Sequence, residues 1–296
     1  MATLLQLKSL LAVVDRGGFT AASQELGLSQ PAVSRSIATL EKELGLPLLA
    51  RQRDGVLPTE AGARALVHAR EAVRQLDLMR TEVAAMAGHV TGTLRVASLP
   101  SVTGTLVAVQ LRAFTERHPR VTVRLLEGSD QEVRDWLDQG AADVAVVSLP
   151  APGLKTATLG SQEMVAVVPV GHRLALRDEV TYTDLAQEAF IRSTGGCAQV
   201  FTPVARQLGV EFDVAFEARE MSAVLEMVRA GLGVSILPTA GLPDLPGGII
   251  TRPLVPKTTR HLAVAVSASA SPAARAFLEQ IEALAVESQA RAAATN

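Results

Sequence analysis

Several residue types and sequence features are scarce or absent in this sequence, and their absence excludes some classes of function. It contains one cysteine, Cys197, among 296 residues, which excludes an internal disulfide and a cysteine-rich zinc site. No stretch approaches the roughly 18 uninterrupted apolar residues of a membrane-spanning helix. The N-terminus has neither the basic start nor the cleavage site of a secretory signal. These absences predict a cytoplasmic protein that has no membrane partner.

Catalytic motifs are also missing. The sequence has no Walker loop, no Gly-x-Ser-x-Gly turn and no cluster with zinc-ligand spacing. Its histidines are dispersed along the chain, at His68, His89, His118, His172 and His261. We therefore expect a protein that is not an enzyme and that holds no metal or cofactor. The formal net charge of −2 implies that any binding to a polyanion depends on locally placed basic residues.

The first 45 residues have the pattern of three short helices. Apolar residues recur at helical spacing in residues 4–17, a second helix follows over 20–26, and Gly27-Leu28-Ser29 forms a tight turn. The last residue of that turn is a typical N-cap for a third helix, which ends at Gly45. Pro31 lies in its first turn, where a backbone N–H is not needed. Two helices joined by such a turn predict a helix-turn-helix.

The outward residues at the start of the third helix suit DNA recognition. They are Gln30, Ser34 and Arg35. Gln bonds adenine through two hydrogen bonds, Arg bonds guanine, and Ser suits a base or a phosphate. A recognition helix contacts bases mainly through its N-terminal residues. The alternative interpretation is a capped amphipathic helix whose polar residues are solvated.

A β-hairpin is predicted directly after this helix. Asp54-Gly55 is a dipeptide typical of hairpin turns, and residues 48–53 and 56–58 flank it. The hairpin carries Arg51 and Arg53, which are placed to contact phosphates or a narrow minor groove. Residues 30–53 contain four basic and two acidic side chains. The sequence therefore predicts a winged helix-turn-helix over residues 1–58 that binds double-stranded DNA.

These motifs resemble a known family. Residues 21–41 (AASQELGLSQPAVSRSIATLE), together with Gly45–Arg51 and Thr59–Gly62, strongly resemble the signature of LysR-type transcriptional regulators. The resemblance implies that Gln30, Pro31, Ser34 and Arg35 contact DNA from the recognition helix and that Arg51 and Arg53 do so from the wing. It also implies promoter DNA and RNA polymerase as partners, and an assembly of dimers or of tetramers built from two dimers.

A long helix is predicted over residues 59–90. Residues at alternating spacings of four and three form a heptad seam, namely Ala65, Ala69, Ala72, Leu76, Met79, Val83 and Met86. We expect this seam to join two chains, so that two recognition helices reach successive major grooves of an inverted repeat. The alternative is a helix packed on its own chain.

The remaining residues, 91–296, alternate between strands and helices. Such alternation predicts an α/β domain with parallel sheets and helices on both faces. Its length favours two lobes, lobe I over about 92–162 plus 263–296 and lobe II over about 163–262. The organisation resembles the effector domain of the same family, which is similar to periplasmic binding proteins.

Small-molecule contacts are expected where Ser-, Thr- and Gly-rich loops follow strands, because ligands bind beyond the carboxyl ends of strands in such folds. The candidates are Ser101, Val102, Thr103, Ser129, Ser148, Ser193, Thr194, Met221 and Ser222. The resemblance favours Ser101 and Ser129 among them. Hydroxyls and free N–H groups predict a small carboxylate or other anion of unknown identity. Arg192 and Arg219 are possible positive partners, and ordinary turn chemistry is the alternative for every loop.

Two further alternatives stay open. Cys197 is interpreted as an inert small residue near a helix start. Reversible oxidation of its thiol is chemically possible, although the sequence lacks a second cysteine. The leading function is a ligand-gated transcriptional regulator. The other class is an α/β solute-binding or catalytic protein that uses a helix-turn-helix to oligomerise.

Overall fold

Two units make up the chain, and the computed structural model describes residues 2–52, 55–239, 242 and 247–294 of them. The side chains of Arg51 and of residues 287–294 lie outside this description, as does Arg53 entirely. One unit comprises Met1–His89 with Gln139–Ala141, and the other Val90–Asp138 with Ala142–Asn296. None of the described helices combines the length and apolarity needed to cross a membrane.

The first unit is a winged helix-turn-helix continued by a long helix, as predicted. Its elements are α1 (Leu4–Asp15), α2 (Phe19–Leu26), α3 (Gln30–Leu44), β1 (Leu49–Gln52), β2 (Gly55–Pro58) and α4 (Glu60–Met86). Gly27 ends α2 with φ 64°, a left-handed conformation that glycine adopts without strain. Ser29 caps α3 by accepting a hydrogen bond from the backbone N–H of Ala32.

The base of the wing is packed tightly against the start of α4. Leu48, which leads into β1, is buried in one cluster with Leu10 of α1, Leu40 of α3 and Leu66 of α4. A Cβ atom on Gly62 would lie only 1.9 Å from the carbonyl oxygen of Leu48. The absence of a side chain at this position is what allows the helix and the hairpin to meet.

The second unit alternates strands with helices. Its strands are β3 (Gly92–Ser98), β4 (Val121–Glu127), β5 (Val144–Ser148), β6 (Lys155–Pro169), β7 (Val180–Thr181), β8 (Phe190–Ser193), β9 (Val214–Ala218), β10 (Ser235–Pro238) and β11 (Ile249–Val266). Its α-helices are α5 (Pro100–Val102), α6 (Ala108–Arg117), α7 (Asp130–Asp138), α8 (Tyr182–Leu185), α9 (Ala198–Gln207), α10 (Met221–Arg229) and α11 (Pro272–Ala294). A π-helical turn at Thr103–Val107 joins α5 to α6.

The sheets of this unit are mixed, whereas the strand–helix alternation predicts parallel sheets. Strands β3, β4 and β5 pair in parallel, and so do β8 and β9. However, β11 pairs antiparallel with both β5 and β6, and β10 pairs antiparallel with β6. In the described part of the chain, β10, β6, β11, β5, β3 and β4 follow one another in a single sheet, with β7 on β11.

Two lobes arise because β6 and β11 are long enough to serve both. The ends of these strands at Lys155 and Val266 pair within the sheet that also contains β3, β4 and β5. Their other ends pair with each other and with β10. Each lobe has its own buried core, one around Phe114 and Phe277 and the other around Phe190 and Phe201. The predicted two-lobed α/β architecture is thus confirmed.

Candidate DNA-binding and effector sites

The recognition helix presents the predicted side chains at its N-terminal end. Gln30, Pro31 and Arg35 are exposed and Ser34 is half-buried, whereas Val33 and Ile37 face the core. This alternation follows from helical geometry, which turns residues three and four positions apart to the same side. The first turns of α3 therefore offer an amide, a hydroxyl and a guanidinium together.

The wing is anchored to this helix by a carboxylate. Glu41 of α3 accepts hydrogen bonds through Oε1 from the backbone N–H groups of Leu48 and Leu49, at 2.7 and 3.2 Å. This contact fixes where β1 starts relative to the recognition helix. Arg51 lies on β1 opposite Val56, but its side chain and the whole of Arg53 fall outside the described residues. The predicted wing contacts therefore stay predictions.

The heptad seam on α4 divides into two halves. Ala69 is buried and Ala65 packs against the cluster of Leu10, Leu40 and Leu66. These two residues contact their own chain, so assigning them to a seam between chains was wrong. Ala72, Leu76, Met79, Val83 and Met86 are exposed in the single chain, with Met86 reaching 90 %. The C-terminal half of the helix thus keeps an apolar stripe available to another chain.

A buried arginine that the sequence analysis missed lies at the centre of the effector domain. Arg260 of β11 has a side chain that is 0 % exposed. Its Nε donates to Ser148 Oγ at 2.9 Å and its Nη1 to Ser101 Oγ at 3.3 Å. Its Nη2 has no hydrogen-bond partner among the described residues. Buried cations are normally fully paired, so this guanidinium has binding capacity left over.

Asp130 supplies the nearest negative charge. Its side chain is 1 % exposed, and its Oδ1 lies 3.8 Å from Arg260 Nη2, too far for a hydrogen bond. The same carboxylate accepts from the backbone N–H of Ser148 at 3.0 Å and from Arg134 Nε at 2.9 Å. Two guanidinium groups thus share one carboxylate, which leaves a net positive charge in this group.

The predicted hydroxyl residues of lobe I have different roles. Ser101 and Ser148, at the carboxyl ends of β3 and β5, both accept from Arg260. Thr103 Oγ1 bonds the hydroxyl of Ser98 and the carbonyl of Leu99 instead. Val102 is wholly buried in the lobe I core, so its assignment to the effector site was wrong. The structure therefore groups Ser101 and Ser148 around one cation.

Ser129 caps the start of α7. Its backbone N–H and its Oγ both donate to Glu132 Oε2, at 2.7 and 2.8 Å. Arg219, from the segment before α10, donates to the same oxygen at 2.7 Å. The pKa of Glu132 lies below its ordinary value, mainly because of the backbone hydrogen bond from Ser129 and, to a smaller extent, because of the Ser129 hydroxyl and Arg219. This exposed ion pair connects lobe I to lobe II.

The candidates in lobe II lie around the start of α9 and α10. Ser193 is buried, and its Oγ accepts from the backbone N–H of Gly195 at 3.4 Å. Thr194 and Ser222 are exposed, while Met221 packs on the cluster that contains Ile191 and Val224. Arg192 pairs with Glu217 and is far more exposed than Arg260.

Cys197 lies in the buried core of lobe II. Its thiol is buried, and burial raises the thiol pKa above its ordinary value. The positive charge of Arg260 and the hydroxyl of Ser193 act on this pKa in the opposite direction. The neighbouring Gly196 has φ 103°, and a Cβ there would lie 3.2 Å from the backbone nitrogen of Asp130. This glycine lets the α9 start approach Asp130 and Arg260 closely.

Two family profiles match the chain along most of its length. One is described as the bacterial regulatory helix-turn-helix protein, lysR family, and covers residues 4–63. The other is described as the LysR substrate binding domain and covers residues 87–285. The first profile includes the recognition helix, and the second includes the Arg260 group.

Individual relatives agree with these profiles. The chain is 32% identical to the uncharacterized HTH-type transcriptional regulator YvbU of Bacillus subtilis, over 95% of this chain and 98% of that protein. It is 30% identical to a probable hydrogen peroxide-inducible genes activator of Mycobacterium leprae, over 81% of this chain and 79% of the relative.

Solved structures have the same fold. Full-length OxyR from Pseudomonas aeruginosa superposes with a TM-score of 0.72 at 23% identity, over 95% of both chains. CbnR complexed with its target DNA superposes with a TM-score of 0.65 at 23% identity, over 94% of this chain and 98% of that one. The profiles, the relatives and the fold agree, and this chain belongs to the LysR family of DNA-binding transcriptional regulators with an effector-binding domain.

Proposed function

We propose that the chain binds promoter DNA as a homodimer and that a small anion held by Arg260 controls this binding. The sensing part of this proposal rests on the buried guanidinium, whose Nη2 has no hydrogen-bond partner in the described part of the chain. An anion supplies the acceptor that this donor lacks and offsets the net positive charge of the group. Lobes that close on the anion change their relative angle, because a ligand favours the conformation to which it binds more tightly.

The DNA part of the proposal rests on the outer face of α3. Gln30, Ser34 and Arg35 are assigned to base or phosphate contacts, with Pro31 beside them and Arg51 and Arg53 on the wing. Arg35→Ala should weaken operator binding about 5- to 150-fold at matched salt, the range for one bidentate base contact. Arg80→Ala, which removes an exposed arginine from the middle of α4, is the control. Equal binding by wild type and Arg35→Ala would refute the assignment.

Dimerisation is assigned to the exposed apolar stripe of α4. The stripe consists of Ala72, Leu76, Met79, Val83 and Met86, and a two-fold axis through it pairs each stripe with its own copy. Two recognition helices then read an inverted repeat with half-sites on successive major grooves. Two such dimers form the tetramer that we expect on DNA.

The cellular setting follows from this function. We place the chain in the cytoplasm, where promoter DNA and RNA polymerase are its partners, and we assign no reaction to it. If the helix-turn-helix served oligomerisation alone, Arg35→Ala would leave every function of the protein intact. A gel-shift assay of operator binding by wild type and Arg35→Ala therefore decides between a regulator and a solute-binding or catalytic protein that carries the same motif.

The anion is tested with the full-length protein. We expect small carboxylates to raise the Tm of wild type and to change operator binding at constant ionic strength, since a ligand of the folded form raises its apparent stability. Arg260→Met should abolish both effects while operator binding without ligand persists. An unchanged response in Arg260→Met would refute the proposed site.

A second candidate signal is hydrogen peroxide, favoured by the buried free thiol of Cys197 and by the 30% identity to a probable hydrogen peroxide-inducible genes activator. The Cys197 thiolate would attack one peroxide oxygen, forming an S–O bond while the O–O bond breaks and the departing hydroxide takes up a proton. Sulfur is thereby oxidised to the sulfenic acid and peroxide is reduced to water. Burial, which raises the thiol pKa, slows this reaction because the thiolate is the nucleophile.

The peroxide candidate has a direct test. Intact-mass analysis should detect one added oxygen in wild type and none in Cys197→Ser, and only wild type should alter its operator binding. If wild type and Cys197→Ser bind the operator alike before and after peroxide, the candidate is rejected and the anion remains.

A further inference from the structure

A second polar side chain lies buried beside Arg260 without partners. Gln162 of β6 is 2 % exposed, and neither its Oε1 nor its Nε2 has a hydrogen-bond partner among the described residues. It is the direct antiparallel partner of Arg260 on β11. Side chains at directly paired positions project from the same face of a sheet with their Cβ atoms about 4.5–5.5 Å apart. Gln162 and Arg260 therefore belong to one group.

This group lies at the point where the two lobes meet. Along the same face of β11, Leu262 belongs to the core of lobe I, and Met164, along the same face of β6, belongs to the core of lobe II. Thr258, opposite Met164, is already satisfied by Tyr182 at 2.7 Å. Gln162 and Arg260 thus form a polar layer between two apolar cores. Within the described residues, Arg260 Nη2 and Gln162 Oε1 and Nε2 have no hydrogen-bond partner.

The unpaired atoms define what a ligand must carry. Arg260 Nη2 needs an acceptor and is best served by an anionic oxygen. Gln162 Nε2 needs an acceptor, and Gln162 Oε1 needs a donor. A carboxylate alone provides acceptors only. A hydroxyl on the neighbouring carbon provides a donor and a further acceptor within reach of the same pair of side chains.

We propose that Gln162 selects the effector and that the effector is a small 2-hydroxycarboxylate, bound by its carboxylate at Arg260 and by its hydroxyl at Gln162. This inference rests on the proposed anion site and adds the second half of the ligand. The ligand is small because both side chains are almost completely enclosed. A 2-amino acid fits less well, because its ammonium needs a negative partner and Asp130 is already shared by Arg134 and Arg260.

Three probes that differ at one atom test this selection. Lactate, propionate and alanine share a three-carbon carboxylate skeleton and carry a hydroxyl, a hydrogen and an ammonium at the second carbon. Titration calorimetry on the full-length protein should give lactate about tenfold tighter binding than propionate, the value of one neutral hydrogen bond. Alanine should bind more weakly than lactate.

Variants separate the hydroxyl contact from the carboxylate contact. In Gln162→Met, which removes the amide and preserves side-chain length, the lactate-to-propionate ratio should fall to about one while propionate still binds. Arg260→Met should lose all three probes. Gln207→Met, the same exchange at an exposed position in α9, should retain the tenfold ratio.

The outcomes distinguish failure of this inference from failure of the anion site. If propionate and lactate bind equally to wild type, or if Gln162→Met keeps the wild-type ratio, the role of Gln162 is overturned and the anion site stands. If Arg260→Met still binds the probes, the anion site itself fails. Tighter binding of alanine than of lactate, or no binding of any probe, overturns the assigned ligand class.

A ligand-free measurement tests the same idea through stability. A buried amide that waits for a ligand destabilises the empty protein, so Gln162→Met should raise the Tm of the effector domain by roughly 2–4 °C. A buried water that completes the hydrogen bonds of Gln162 would produce the opposite result. A lower Tm for Gln162→Met would show that the amide is structural and would overturn the proposal.

Discussion

The buried carboxylate of Asp130 offers the sharpest test of how the effector domain holds its central charge. Replacing it by alanine leaves the guanidinium of Arg260 enclosed, with hydroxyl oxygens as its remaining partners. The same change removes the acceptor of the Ser148 backbone N–H. Arg134, a quarter of whose side chain is exposed, can turn to solvent and contributes less.

The expected loss is large. Unit charges about 4 Å apart attract by about 4 kcal/mol at an effective dielectric constant of about 20, and Arg260 Nη2 lies 3.8 Å from Asp130 Oδ1. Removing one partner of a buried pair costs about 3–5 kcal/mol, and an unpaired buried N–H adds about 1–3 kcal/mol. We therefore expect Asp130→Ala to lower the free energy of unfolding by about 5 kcal/mol.

Arg260→Met should cost much less, because it removes the buried charge together with its unpaired donor. Asp130 keeps Arg134 and the Ser148 N–H, and a loss below about 2 kcal/mol is expected. The double variant should then lose about 2–3 kcal/mol less free energy of unfolding than the sum of the losses in the two single variants.

The assay is urea unfolding followed by near-UV circular dichroism, for wild type, both single variants and the double variant. Where Asp130→Ala accumulates as insoluble protein, recovery of soluble protein in the double variant reports the same coupling. Additivity within about 0.5 kcal/mol would refute the reasoning, because it would mean that Arg260 does not depend on Asp130 for its charge balance.

Three other predictions concern different parts of the chain. Val83→Asp, at a 64 % exposed position of α4, should raise the dimer dissociation constant at least about tenfold by analytical ultracentrifugation, because a two-fold seam brings two carboxylates together. Gly62→Ala should destabilise the DNA-binding unit by more than the about 1–3 kcal/mol of ordinary overpacking, whereas Gly18→Ala, which meets nothing within 4 Å, should cost far less. Burial, together with the charge of Arg117, lowers the pKa of His118, so the free energy of unfolding should fall as pH drops below about 6.5. His118→Phe should make the free energy of unfolding less dependent on pH in this range, and an unchanged pH dependence would contradict the assignment.

Local patterns were sufficient to predict the DNA-binding half. Ser29, Gly27 and Gly45 each act within one turn of the chain, and capping and left-handed glycine conformations leave a signature in adjacent residues. The outward positions of Gln30 and Arg35 follow from helical periodicity alone. Local sequence patterns therefore predict the helix ends and the outward-facing side chains of this unit before any tertiary contact is known.

Arg260 could not be found in the same way. Its hydrogen bonds join it to residues 112 and 159 positions away along the chain, and it lies in the middle of a strand with no turn or glycine motif around it. The loops rich in Ser and Thr were predictable because they end strands. Which of their hydroxyls share a partner depends on the order of strands in the sheet, and that order cannot be inferred from local patterns in a single sequence.

The heptad on α4 shows a related limit. A seam of apolar residues requires a partner surface, but its spacing is the same whether that surface is on the same chain or on another. The first turns of α4 are covered by α1, α3 and the wing, so Ala65 and Ala69 lie in the chain's own core. The positions of α1, α3 and the wing determine how far along α4 the apolar residues are buried within the chain.

The pairing of β6 with β11 constrains how the effector domain can move. Their ladder runs through both lobes, with register shifts between Pro253 and Thr258 and between Leu262 and Ala263. Lobes connected by loops would be free to rotate about many axes, but lobes connected by a two-stranded ribbon can change their angle only by twisting or bending that ribbon. Gln162 and Arg260 lie on the ribbon between the two shifts. An anion at the proposed site would contact this ribbon directly, and a small change in the ribbon's twist would be amplified at the far ends of both lobes.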